Sequence, residues 1–263
     1  MPFTISHVAA VLPFGRFLSR GRVLSALVVG SMVPDFGLFL PWQLDRVETH
    51  SAAALITWCL PVGITAYWIF QYLIKDPVRE VLPDAAYARS LPYAAVADIR
   101  RVEQWLLAAA AILIGAVTHL VWDAFTHEGA RGIRMIPAID EFAVSLAGRH
   151  VAGPRFMQDV SSLVGLGIVL WLLLRALRRR GAPPLAGPRR LTPRVRHAWV
   201  FAYVFTAVAC AAADILLIPS SEPYGLGTSL SLSHAAIAAL RGLAVAVLGV
   251  SLCLDLKLRA AAA

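Results

Sequence analysis

The stretch 104–129, QWLLAAAAILIGAVTHLVWDAFTHEG, decides how the rest of the chain is read. It is long and apolar enough to cross a bilayer, which takes about 20 residues at about 1.5 Å rise each. Its second half nevertheless carries His119, Asp123 and His127. Each step of four residues drifts only about 40° around a helix axis, so a helix continued through this segment projects all three side chains from one stripe. An ionisable group in a span costs about 2.5–3.5 kcal/mol or more, so such groups face the bundle interior and mark function. A His and an Asp one turn apart make half of a metal site.

Working outward, the chain of 263 residues is 59% hydrophobic and 15% charged, too apolar for an ordinary soluble domain. No polar block is long enough to fold alone, so the expectation is one integral-membrane domain, with 1–129 as a metal-site half and 160–263 as a three-span half. Cys59, Cys210 and Cys253 lie in apolar runs without Cys-x-x-Cys spacing, which argues against a thiolate metal site and a disulfide framework. The start, MPFTISHVAAVLPFG, lacks a basic n-region and is broken by Pro13, so His7 is expected on a retained N-terminus.

The net charge of +8 is local. Arg175, Arg178, Arg179, Arg180, Arg189, Arg190, Arg194 and Arg196 fall in a segment without an acid, and the other 16 basic residues balance the 16 acidic ones. Because this segment joins two apolar spans, it reads as a positive-inside topology signal and not as a nucleic-acid site. Loop 178–197 and the C-terminus are therefore placed in the cytoplasm, with the chain expected in the cell's inner membrane.

The fold class expected is all-α, a polytopic transmembrane helix bundle of about six spans with an interfacial or re-entrant N-terminal segment over residues 1–21. The spans are read at 23–41, 50–74, 104–129, 160–177, 198–218 and 235–256, with a short amphipathic helix around 138–147. Pro34 predicts a kink or helix end at Asp35, and Pro61 with Gly63 a kink in the second span. Asp214 and Arg241, single charges in the last two spans, are read as an interhelical pair. Counting spans back from the arginine loop brings Asp35, His50, His119, Asp123 and His127 to one depth on the outer side, with His7 a possible sixth. Each histidine alone is more simply an interfacial or hydrogen-bonded residue; the coincidence of the set favours a divalent metal, Zn²⁺ foremost and Mn²⁺ second. Thr49, Thr118 and Thr126 each precede one of these histidines and are candidate supports for the imidazoles. His150, His197 and His234 read as surface residues.

Several motifs carry a resemblance in combination: MPFTISH, VLSALVVGSMVPDF, THS at 49–51, THLVWDAFTHEG at 118–129 and MQDVSSLVGLG at 157–167. The chain resembles, over essentially its whole length, the bacterial multi-pass membrane proteins of domain-of-unknown-function family 4184. That resemblance implies a membrane protein without an assigned activity. More weakly the chain is similar to membrane-bound metal-dependent hydrolases, which share an early His, a Pro-Asp, a Thr-His and a later His-x-x-x-Asp. More remotely it is similar to the zinc-dependent phospholipase C and nuclease fold. By that analogy His119 and Asp123 would bind one metal with Asp35 and His50, while His7 would serve a neighbouring one. The phospholipase pattern's second His-x-x-x-Glu helix has no clear counterpart here.

Three functions compete. The leading one is a membrane-embedded metal-dependent hydrolase acting on a phosphoester or lipid at the extracytoplasmic face, with Glu128 or an unligated carboxylate as base. The second is a transporter or ion-handling protein using His and Asp as a relay, and the third a structural protein whose site clamps helices. A site open to the headgroup level favours the first, a continuous polar path the second, a closed site the third. The charge reading predicts that in intact cells a cysteine replacing Leu185 is protected from impermeant label while one replacing Ser145 is labelled. The reverse pattern would invert the topology.

Overall fold

The computed structural model describes residues 4–16, 21–40, 44–98, 100–146, 149–178, 189–217 and 232–261. The helices run in order α1 (Val8–Val11), α2 (Gly21–Met32), α3 (Arg46–His50), α4 (Leu60–Ile69), α5 (Lys75–Val81), α6 (Asp84–Ser90), α7 (Val102–Ala124), α8 (Arg131–Met135), α9 (Pro137–Asp140), α10 (Gly153–Arg178), α11 (Pro193–Leu217) and α12 (Leu232–Ala260). The fold is all-α and polytopic in character. Among the described residues, five segments are long and apolar enough to cross a membrane: Gly21–Phe39, Val102–Ala124, Gly153–Arg178, Pro193–Leu216 and Ile237–Ala260. The expected second span, 50–74, is helical from residue 55, but π turns at Leu55–Cys59 and Phe70–Ile74 flank α4. The first π turn lies just before Pro61, whose missing N–H is what a widened turn accommodates.

Polarity is inverted relative to a water-soluble bundle. Phe201, Phe205 and Leu216 of α11 are 68%, 62% and 81% exposed, whereas Gln71, Glu80, His119 and Asp123 are buried. Apolar side chains turned outward on so long a helix fit a lipid solvent, in which backbone polar groups are satisfied within each helix.

The centre of the fold is the crossing of α2 and α7. A Cβ on Gly30 would stand 2.2 Å from the Ile112 carbonyl oxygen, and one on Gly115 would stand 2.4 Å from that of Leu27, so the two backbones touch where neither residue has a side chain. Ala26, Leu27, Ala108, Ala111 and Ile112 fill the crossing, with Val11 of α1 and Tyr67 of α4 packed beside them. Pro34 does end the first α-helix: α2 gives way to a 3₁₀ segment, Val33–Phe39, which carries Asp35. The N-terminal segment is drawn into the bundle and does not lie along its outside. Thr4, Ser6 and His7 are buried, and a Cβ on Gly165 of α10 would meet the Ser6 carbonyl at 2.8 Å.

α11 and α12 form an antiparallel pair. Gly242 lets them close, since a Cβ there would lie 2.2 Å from the Ala207 carbonyl oxygen. The expected pair is present: Arg241 Nη1 lies 3.2 Å from Asp214 Oδ1, and Arg241 Nε also donates to the Leu38 carbonyl at 2.8 Å, tying this hairpin to the 3₁₀ segment.

At the other end, the arginine segment is not simply an unpaired excess of charge. Arg189 pairs with Asp84 at 3.0 Å, Arg190 with Asp76 and with Glu80 at 3.1 Å, and Arg196 with Asp84. Arg189 also stacks over the Tyr87 ring, 3.8 Å from its centroid. The acids that neutralise these arginines come from 75–103, the connection between the second and third expected spans. The core of the arginine loop, 179–188, and the side chain of His234 lie outside the described residues. The amphipathic helix expected around 138–147 is replaced by α9 and a hairpin, Ala143–Leu146 antiparallel to Arg149–Ala152. Val144 stands opposite Val151, a β-branched pair suited to a strand.

Two predictions follow from this packing. Removing Asp214 or Arg241 alone strands a charge among helices and should destabilise by about 3 kcal/mol, whereas replacing both with apolar residues should be much milder. Chemical denaturation in detergent reads both, and equal losses would mean no coupling. Gly115→Leu should destabilise by more than about 1–3 kcal/mol because its neighbours are backbone atoms. Gly167→Ala, where a Cβ meets nothing within 4 Å, should be tolerated.

Candidate functional site

The crossing at Gly30 and Gly115 determines what lies one turn further along each helix. On α7, His119 is fully buried and its Nδ1 lies 2.8 Å from the Ser31 carbonyl oxygen of α2. A carbonyl only accepts, so Nδ1 carries the proton and Nε2 presents a lone pair. That lone pair faces two carboxylates, Asp123 Oδ2 at 3.4 Å and Asp35 Oδ1 at 3.6 Å. Three electron-rich atoms gathered out of water repel one another unless a cation, proton or metal, sits among them.

The remaining groups arrive from separate elements. Asp35 is oriented by Thr4, whose hydroxyl donates to Oδ2 at 2.8 Å, leaving Oδ1 turned to the cluster. His50, at the end of α3, places Nε2 3.2 Å from Asp35 Oδ1 and 3.6 Å from Asp123 Oδ2, with its Nδ1 2.7 Å from the Thr49 hydroxyl. His7 stacks on His119 with ring centroids 3.8 Å apart and lies 3.6 Å from Asp123 Oδ1. Two stacked imidazoles disfavour charge on both rings. Trp122 closes over His7 edge-on and donates its own N–H to Ser161 of α10 at 3.2 Å.

His127 is a correction to the single helical stripe. α7 stops at Ala124, so His127 lies in the following turn and not on the helix. The turn folds back, the His127 N–H donating to the Asp123 carbonyl at 3.1 Å, and returns the imidazole to 3.5 Å from Asp123 Oδ1. Burial pushes the His127 pKa down to about 4, against the pull of the Asp123 carboxylate. Glu128, next in the chain, is exposed, and among the described residues no hydrogen bond or ion pair joins it to the cluster. Of the three threonines, Thr49 and Thr126 contact the histidines that follow them, at 2.7 and 3.3 Å. Thr118 bonds instead to the Gly115 carbonyl at 2.7 Å. His150 and His197 are exposed, as expected of surface residues.

Arg46 was not anticipated. Its Nη2 donates to Asp123 Oδ2 at 2.7 Å while its side chain remains 44% exposed. The residue sits in the first turn of α3, held by a capping box in which Asp45 accepts from the Val47 N–H at 3.0 Å and Glu48 accepts from the Asp45 N–H at 3.1 Å. The Asp-x-x-Glu pattern at 45–48 announces that helix start and would have put Arg46 one turn from His50. Thr4 carried a weaker signal, its proximity to His7.

Two overlapping sets could hold a metal, His7 with His119 and Asp123, and Asp35 with His50 and His119, the ligand atoms of each lying within 4.8 Å of one another. Two ligands of a tetrahedral Zn²⁺, each about 2.0–2.1 Å from it, stand about 3.3–3.4 Å apart. The nitrogen-to-carboxylate separations here run from 3.2 to 3.6 Å. Among the described residues, His7 Nδ1, His50 Nε2, His119 Nε2 and Asp123 Oδ1 are buried without a hydrogen-bond partner. The donor set, imidazole and carboxylate without thiolate, suits a borderline divalent cation.

Fold and site together define a multi-pass helical membrane protein with a buried His/Asp cluster at one end of its bundle. The chain belongs to the family described as domain of unknown function 4184, whose model matches residues 1–252. No curated protein and no solved structure matches it. The similarity to metal-dependent hydrolases thus rests on the quoted residues alone.

Proposed function

We propose that this protein is a membrane-embedded metal-dependent hydrolase that acts on a phosphoester, soluble or lipid-borne, at the extracytoplasmic interface. The observation that carries the reading is the convergence of three buried ligand atoms that lack a hydrogen-bond partner among the described residues, His50 Nε2, His119 Nε2 and Asp123 Oδ1. Groups left so cost about 1–3 kcal/mol each, more where charged, and a folded chain tolerates several in one place when a ligand completes them. Asp35, His50, His119 and Asp123 hold the cation, Zn²⁺ or Mn²⁺, with His7 and His127 lining the same pocket.

When bound, the cation supplies Lewis-acid activation of water and of the ester oxygen. The chain's own residues do the rest. Ser31 fixes the His119 tautomer and Thr4 the Asp35 carboxylate, so the ligand set is organised before the ion arrives. His50 and His127, with side chains 11% and 14% exposed, and half-exposed Arg46 form the open side through which substrate and water enter. Glu128, on the exposed turn after His127, would take a proton from water as the water oxygen bonds to phosphorus and return it to the alkoxide as the ester P–O bond breaks.

Two alternatives meet opposing observations. A relay through the protein requires a polar path, yet Leu27, Ala108, Ala111, Ile112 and Tyr67 form an apolar layer directly behind the cluster. A helix clamp is favoured by the Arg46–Asp123 pair, which neutralises one carboxylate without any metal. Metal analysis separates clamp from hydrolase. Purified wild type should carry stoichiometric divalent metal, and chelation should lower its melting temperature, since a ligand bound only to the folded state stabilises it. Asp123→Asn and the milder His50→Ala should lose metal and that response. Glu128→Gln should keep the metal while lowering kcat on an activated phosphodiester. A metal-free wild type indifferent to chelator and added Zn²⁺ or Mn²⁺ would overturn the proposal.

A further inference from the structure

The position of Arg46 carries the reading one step further, to the charge of the substrate, and this step rests on the metal site just proposed. The cluster contains two carboxylates, Asp35 and Asp123, and one fixed cation, Arg46. With a proton among the three buried atoms when metal is absent the site is about neutral, and with a divalent ion and imidazoles as neutral ligands it bears about +1. Loading therefore leaves a positive surplus at the open side. A neutral ester has nothing to gain from that surplus; an anion does, and more so in a pocket shielded from water.

Arg46 is also built to move between two partners. Its guanidinium has five donors, yet among the described residues its side chain makes a single hydrogen bond, to Asp123 Oδ2. That oxygen also faces His50 and His119, so an ion held there competes with the guanidinium for it. The backbone beneath is fixed by the α3 capping box, and Asp45 and Glu48, the neighbouring acids, are committed to that cap. The released planar fork then matches a tetrahedral oxyanion, which offers one oxygen to the metal side and others to the arginine.

We propose that Arg46 is the anion-recognition residue of this site, exchanging Asp123 for the phosphoryl oxygens of the substrate when the cation is bound. The substrate class is a phosphoryl-bearing anion and not a neutral carboxylic ester.

The test uses the full chain in nanodiscs, with metal content measured on every sample. Isothermal titration with inorganic phosphate should show binding to metal-loaded wild type and none to the chelated protein. Arg46→Ala should retain its metal and bind phosphate about tenfold to a hundredfold more weakly, the value of one charged hydrogen-bonding group. Arg46→Lys should recover part of the loss. Titration with phosphatidylcholine vesicles, with and without phosphatidic acid, separates the two sources. A preference for phosphatidic acid over inorganic phosphate makes the ligand a lipid headgroup, and equal affinity makes it a soluble phosphate. Metal-loaded wild type that ignores phosphate and phosphatidic acid alike, or Arg46→Ala with full metal and undiminished binding, overturns the role of Arg46 and leaves the metal site standing. A wild type that takes up no metal removes both.

Discussion

Everything at the functional end of this protein hangs on one close approach, the contact of α2 and α7 backbones at Gly30 and Gly115. Between helices in lipid there is no hydrophobic drive to associate, so close van der Waals contact over small residues takes its place. Once that crossing is set, rigid geometry carries the Ser31 carbonyl to His119 and the Val33–Phe39 turn to the same level. The glycines are thus positioning elements for a site one helical turn away, although neither touches it.

The cluster also shows why a membrane interior suits such a site. In water the two carboxylates would be solvated and the histidines free to rotate. Here Asp35, His50 and His119 are held by neutral partners, Thr4, Thr49 and the Ser31 carbonyl in turn, that fix orientation without cancelling charge. Arg46 alone cancels charge, and it does so from the exposed side, where it can leave. Organisation and neutralisation are assigned to different residues, which lets the field at the mouth vary while the ligand framework stays fixed.

Much of this was legible in the sequence. Hydropathy placed the spans, Pro34 the helix end at Asp35, and the pair Asp214–Arg241 followed from two charges in apolar helices. The convergence of Asp35, His50, His119 and Asp123 followed from helical spacing combined with span counting, because a helix fixes height along its axis. Other features were hidden for physical reasons. Nothing in the spacing of 119, 123 and 127 shows that α7 stops at Ala124; the turn that returns His127 depends on tertiary contacts. Nothing near Arg46 in the sequence announces its role, since its partner lies 77 residues away. The acids that pair with Arg189, Arg190 and Arg196 were equally invisible to a count made within one segment, which overstated the unpaired charge.

The order in which the cluster's parts are made has a consequence for biogenesis. Asp35 leaves the ribosome about 80 residues before His119, which at about 5–20 residues per second is a delay of several seconds. For most of that interval the carboxylate has Thr4 and His50 of α3 already synthesised and lacks only its imidazole neighbour from α7. Insertion of the first hairpin and completion of the His/Asp cluster are therefore separate events, the second waiting on the arrival of α7.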